Sequence, residues 1–230
     1  MTVSDRSDID YFMKRFICVL VVFACLFSAG CNRLYRAAST PDGFKDERNG
    51  KEYVLCNTLT LFAGNTGETY LQLDDTVVYT VAFEDPERFL CIEDSGEYLL
   101  YREVSVKEPD LTDYNPIAAG VFVGNSTFVT NFYADDEYLP EDKQGLNPSQ
   151  DTSLCQSIAS ALTEDESVIV NDADISSEDV YFIRLYSQDF PGLYYVVIFF
   201  GDVNGRYYLR DRATDKTVVC PTDVKARMVG

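Results

Sequence analysis

The chain has no histidine and no tryptophan among its 230 residues. The first absence removes Ser-His-Asp and Cys-His catalysis, a histidine general acid or base, and histidine-ligated zinc together. Basic residues are scarce over most of the length: Glu52 to Gly230 carries eleven Lys or Arg against thirty-two Asp or Glu, a net of −21. Such a surface repels anionic lipids and nucleic acid, so nucleic acid is not among the expected partners. There is no Cys-x-x-Cys pair for zinc or redox work, no P-loop, no dinucleotide fingerprint and no Gly-x-Ser-x-Gly elbow. Long apolar runs are missing as well, with one exception near the N-terminus. Phe16 to Gly30 is apolar or small throughout, but it is shorter than the ~20 residues needed to cross a bilayer core.

That exception is the most specific signal in the chain. In MKRFICVLVVFACLFSAGC, Met13 to Cys31, Lys14 and Arg15 precede the apolar stretch Phe16 to Phe27, and the small residues Ser28, Ala29 and Gly30 precede a cysteine. The segment resembles the signal peptide of bacterial lipoproteins, with Ser28 where Leu, Val or Ile is usual. Asp5, Asp8 and Asp10 lie ahead of it, and acidic residues are out of place before a signal sequence, so Met13 is the expected start. The resemblance implies that residues 1–30 are a signal peptide and that the Cys31 thiol carries a diacylglyceryl group. Each buried methylene contributes ~0.8 kcal/mol, and two acyl chains hold a protein stably. The implied location is the outer face of the bacterial cytoplasmic membrane, or the outer membrane where the envelope has one. No cofactor is expected beyond that covalent lipid.

After Cys31 the sequence divides in two. Residues 31–51 (CNRLYRAASTPDGFKDERNGK) lack hydrophobic periodicity and read as a flexible tether. There Arg33, Arg36, Lys45, Arg48 and Lys51 outnumber Asp42, Asp46 and Glu47, a weakly favourable balance beside an anionic membrane. Residues 52–230 read as one acidic, β-rich domain of α+β class, built mainly from antiparallel meanders and hairpins with one clear helix near 148–163. Strand candidates are YVLCNTLTLF, ETYLQL after an Asn65-Thr66-Gly67 turn, TVVYTVAF, RFLCIED and EYLLYREV. Lys107 to Asn115 reads as a loop before the hairpin IAAGVFV and TFVTNFY. Asn147 and Pro148 suit a helix start, and Leu154, Ile158, Ala161 and Leu162 recur at helical spacing. The closing candidates are YFIRLYS, LYYVVIFF, RYYLRDR and KTVVC, with Asn204-Gly205 as a hairpin turn. LYYVVIFF is apolar throughout, as a central strand covered on both faces must be.

Three groups of side chains invite a functional reading. Cys56, Cys91, Cys155 and Cys220 permit two disulfides in three pairings, or four buried thiols. Asp135 and Asp136 in ADDEYLPED, and Asp172 and Asp174 in NDADISSED, offer hard oxygen ligands for calcium, although neither segment has EF-hand spacing. In RYYLRDR, alternation sets Arg206, Tyr208, Arg210 and Arg212 on one face and Tyr207, Leu209 and Asp211 on the other. Arginine forks bind carboxylate and phosphate, so this stripe suits an anionic ligand or an acidic partner segment, unless the protein's own acids occupy it. The sequence therefore points to a lipid-anchored, non-enzymatic binding module whose partner is a protein or polymer of the cell envelope. Two other readings are a glycan hydrolase working through paired carboxylates and a calcium-stabilised surface domain.

Overall fold

Just under half of the residues described by the computed structural model, 35–61, 63–124, 127–133, 153–176 and 180–229, lie in strands. In chain order these are β1 (Tyr35–Thr40), β2 (Gly43–Asp46), β3 (Glu52–Leu55), β4 (Leu59–Leu61), β5 (Thr66–Leu73), β6 (Thr76–Val81), β7 (Phe89–Asp94) and β8 (Glu97–Glu103). They are followed by β9 (Ala118–Val123), β10 (Thr127–Tyr133), β11 (Tyr181–Tyr186), β12 (Leu193–Gly201), β13 (Tyr207–Asp211) and β14 (Thr217–Val219). Three helices accompany them among the described residues: α1 (Leu111–Tyr114), α2 (Ser153–Glu164) and α3 (Thr222–Val229). None is long and apolar enough to cross a membrane.

Seven strands close into a barrel in the order β1-β2-β3-β8-β7-β6-β5. All of its pairs are antiparallel except the closing one, where β1 runs parallel to β5 with Tyr35 opposite Leu71. Ala37, Phe44, Tyr53, Leu71, Val78, Leu90 and Ile92 form its core. Phe44 stacks on Tyr53 with ring centroids 5.2 Å apart. Gly43 is required here, because a Cβ at this position would lie 2.0 Å from the Tyr53 carbonyl oxygen.

The barrel corrects the tether reading for residues 35–51, while 31–34 lie outside the described residues. From Tyr35 the chain already belongs to the compact unit that extends to the C-terminus. β1 escapes notice because it buries only Ala37, while its larger neighbours Phe44 and Leu71 fill the space. The chemistry of the following turn is equally local. Asp46, fully buried, accepts hydrogen bonds from the Arg48 backbone N–H at 2.8 Å and its guanidinium at 2.9 Å, so its charge is satisfied within two residues.

The second sheet runs β10-β9-β11-β12-β13-β14, and β4 pairs with the N-terminal part of β12. β12 therefore has β11 along one side and β4 followed by β13 along the other. It is buried over almost its whole length, the central position its composition calls for. One sheet face presents Val121, Ile183, Leu185, Tyr195, Val197, Phe199 and Leu209 to the main core. α2 joins that core through Leu154, Cys155, Ile158, Ala161 and Leu162.

β7 explains how two cores share one chain. Phe89 and Cys91 join the main core, whereas Leu90 and Ile92 join the barrel core. Alternation places them on opposite faces of a wall that is covered on both sides.

Several boundaries differ from expectation. The run 53–62 is split, with Asn57 and Thr58 between β3 and β4, because the two halves pair in different sheets. Thr66 and Gly67 begin β5 instead of forming a turn. The loop 107–115 holds α1, capped by the Asp110 carboxylate, which accepts from the Asp113 N–H at 2.8 Å. The expected helix spans Ser153–Glu164, and its proposed start at Asn147 and Pro148 lies outside the described residues. α3 has no counterpart among the expected elements, since it buries only Val224 and so shows no apolar stripe.

Candidate functional site

The β12–β13 turn is organised by one carboxylate. Asp202 accepts from the backbone N–H groups of Arg206 at 2.8 Å and Asn204 at 2.9 Å, and from the Tyr208 hydroxyl at 3.1 Å. The Arg206 N–H, together with the other donors, holds this carboxyl below its ordinary range. Gly205 at φ +74 completes the turn. Arg206 is thereby fixed at the exposed end of the hairpin.

Arg206 borders a cleft of about 400 Å³. Val168, Ile169, Tyr207, Tyr208, Val219, Cys220 and Lys225 of α3 line it with Gly205. The lining is pinned at two places: the Val168 N–H donates to the Thr217 carbonyl at 2.8 Å, and the Ser157 hydroxyl to Asp223 of α3 at 2.5 Å. Lys225 Nζ sits 4.9 Å from the centroid of Tyr207, whose ring stacks on Phe199 at 5.4 Å. Ile169 and Val219 are exposed along the rim. Cys220 is no nucleophile here: burial pushes its thiol up to about 12, and its sulfur lies 3.5 Å from the Pro221 carbonyl oxygen. The cleft thus combines two cations, Arg206 and Lys225, with a largely apolar lining. Its chemistry suits holding an anion with an apolar flank.

The arginine stripe is only partly realised. β13 ends at Tyr207 and Asp211, so Arg206 and Arg212 flank the strand. Arg210 is committed to the protein itself: its Nε donates to Thr217 Oγ1 at 3.0 Å, it pairs with Asp172 at 3.4 Å and Asp215 at 3.7 Å, and it lies 5.0 Å above the Phe200 ring. Tyr208 is buried, stacked on Phe200 at 5.5 Å, and burial followed by its bond to Asp202 raises its hydroxyl above the ordinary range. Of the four stripe residues, Arg206 and Tyr208 line the cleft, whereas Arg210 and Arg212 do not. Alternation orders the strand as expected; the pairing acids, far away in sequence, leave no trace in it.

The remaining candidates separate widely. Asp172 and Asp174 are exposed in a 3-10 turn, with Asp172 serving Arg210. Among the described residues no group of three or more Cys, Asp or Glu is placed to hold a metal ion. Asp135 and Asp136 lie outside the described residues, as does Cys31. Cys56, Cys91, Cys155 and Cys220 are buried thiols, and among the described residues there is no disulfide. Burial also pushes Cys91 up to about 12.

Lys225 and Ile169 are the cleft residues that sequence reasoning misses. A signal for the first exists: Pro221 ahead of Thr222, an acid at Asp223 in the first turn and Arg227 in the last mark a short helix. Ile169 carries none, since it sits in an irregular segment and is fully exposed. Compared with known proteins, the chain matches no family model, no curated protein and no solved structure.

Proposed function

We propose that this protein is a bacterial lipoprotein, held at the outer face of the cytoplasmic membrane or in an outer membrane through a diacylglyceryl group on Cys31, and that its β-rich domain is a non-enzymatic binding module. Its ligand is an anionic group with an apolar flank, borne by a protein or polymer of the envelope. The signal-like segment Met13 to Cys31 supports the anchor. The cleft carries the binding reading. Two of only eleven basic residues from Glu52 onward line one largely apolar recess in a chain of net −19.

Charge supports selectivity as well. An acidic surface disfavours anions at range, so only a ligand whose body fits between Ile169, Val219 and Tyr207 gains the close contact with Arg206 and Lys225. A hydrogen bond to a charged group is worth about 1.5–3 kcal/mol, and every 1.4 kcal/mol is tenfold in affinity.

The test is affinity capture from native membranes with the tagged full chain, alongside the double variant Arg206→Glu, Lys225→Glu. Loss of the captured partner by tenfold or more at unchanged thermal stability is expected. Equal capture by both proteins would remove the cleft from the reading. Release of the Cys31→Ala variant from membranes, with the wild type retained, checks the anchor separately.

A further inference from the structure

The two ends of the barrel are unlike. β1, β3, β5 and β7 begin at the end marked by Tyr35, and β2, β6 and β8 finish there, as the pairs Tyr35↔Leu71, Lys45↔Glu52, Tyr53↔Glu103 and Thr66↔Val81 require. Every Lys and Arg of the barrel strands and their turns, Arg36, Lys45, Arg48, Lys51, Arg88 and Arg102, lies in the half toward that end. The turns at the other end carry Asp42, Asp74, Asp75, Asp94 and Glu97 with no basic residue.

The most exposed apolar groups of the barrel gather at the same end, with Leu55 of β3, 39% exposed, the exception at the other. Tyr35 is 57%, Phe83 81% and Val104 48% exposed at the Tyr35 end. Phe83 occupies a turn closed by the Glu84 N–H donating to the Val81 carbonyl at 3.2 Å, and its φ is +67. A side chain in that conformation is strained, and no burial of the ring offsets it. Arg48 lies 4.8 Å from the Tyr35 ring and 4.5 Å from the Tyr70 ring. Three acids at this end are paired, Asp46 with Arg48 at 2.9 Å, Glu52 with Lys45 at 3.0 Å and Glu87 with Lys51 at 2.8 Å; Glu47, Glu68, Asp85 and Glu103 also lie in this half, so the end is mixed in charge where the opposite turns are wholly acidic.

Chain length supplies the second argument. Only Asn32, Arg33 and Leu34 separate Cys31 from Tyr35, so a lipid-bearing Cys31 is at most about 14 Å from the start of β1. Resting on the lipid-anchor reading, we infer that the Tyr35 end of the barrel lies on the bilayer surface, with Tyr35, Phe83 and Val104 at headgroup level and the acidic turns directed away. Aromatic rings favour that zone, and anionic headgroups attract the basic residues gathered at this end. The acidic end is repelled by the same lipids, which fixes the orientation.

The absence of tryptophan makes the test direct, because a single introduced Trp is the only one in the chain. Tyr35→Trp and, at the far end, Glu97→Trp are prepared as lipidated full chains in vesicles of phosphatidylethanolamine and phosphatidylglycerol containing brominated lipid. A six-residue strand rising about 3.3 Å per residue and tilted about 40° separates the two ends by roughly 15 Å along the barrel axis. Quenching several-fold stronger at position 35 than at position 97 is expected, and Phe83→Asp in the Tyr35→Trp background should reduce it. Equal and weak quenching at both positions in protein that floats with the vesicles overturns the orientation and leaves the anchor standing. Protein that does not float with the vesicles overturns both.

Discussion

Glu84 links the barrel to the second sheet, and replacing it with Gln should stabilise the protein in a pH-dependent way. Its side chain is only 2% exposed. Oε1 accepts from the Gly192 N–H at 3.3 Å, and the nearest cation, Arg88, stands 3.9 Å from Oε2. These partners do not compensate burial, which pushes the carboxyl from 4.5 up to about 7. The direction of the effect follows from linkage. Below about pH 4.5 the group is protonated in both states; between 4.5 and about 7 the unfolded chain ionises while the folded one resists, so stability falls as pH rises. A displacement of this size corresponds to a ceiling of about 3 kcal/mol by pH 8, at 1.36 kcal/mol per unit. Gln retains an oxygen to accept from Gly192 and has no charge to bury. Urea unfolding followed by far-ultraviolet circular dichroism at pH 4 and pH 8 measures the difference directly. Glu84→Gln minus wild type should be about 2–3 kcal/mol more favourable at pH 8 than at pH 4. A difference that is the same at both values would show that Glu84 ionises freely in the folded state, and the burial argument would fail.

Asp202→Ala should lower the unfolding temperature, since it strands the Tyr208 hydroxyl and two backbone donors. Because this carboxyl is held below its ordinary range, its contribution is present above pH 3.8 and lost as pH falls further, so wild type and variant should converge in acid unfolding. The buried thiols should resist alkylation in the native protein at pH 8 and react fully in denaturant without reductant; failure to react in denaturant would mean disulfides among Cys56, Cys91, Cys155 and Cys220.

The second sheet is legible in the sequence because its signals are local. β12 is apolar over nearly every residue, and Asn204-Gly205 marks the turn into β13. α2 announces itself through four apolar residues at helical spacing, all of which are buried. The barrel is half legible. β5 to β8 read as apolar or alternating runs between turns, but β1 and β2 bury too few large groups to register, and the parallel pairing of β1 with β5 joins segments that no turn connects. The candidate site is the least legible part. Arg206 and Tyr208 belong to a recognisable strand, yet the neutralisation of Arg210 by Asp172 crosses 38 residues and Lys225 comes from α3. Alternation specifies which way a side chain points; it does not specify what waits for it.

The placement of β4 has a consequence for the order in which the molecule can assemble. Residues 35–103 hold every barrel strand, so the barrel can close as soon as they have left the ribosome. Yet Leu59–Leu61, enclosed within that stretch, pairs only with β12, and Asn65 reaches a Gly192 carbonyl 127 residues further on. Until those later residues arrive, the early half carries an unpaired strand and an apolar outer wall at Phe89, Cys91 and Leu100. Contacts of such long sequence separation form late and slowly. Until β12 is complete, the nascent barrel therefore exposes the kind of apolar surface and unpaired edge that makes a folding intermediate prone to aggregation.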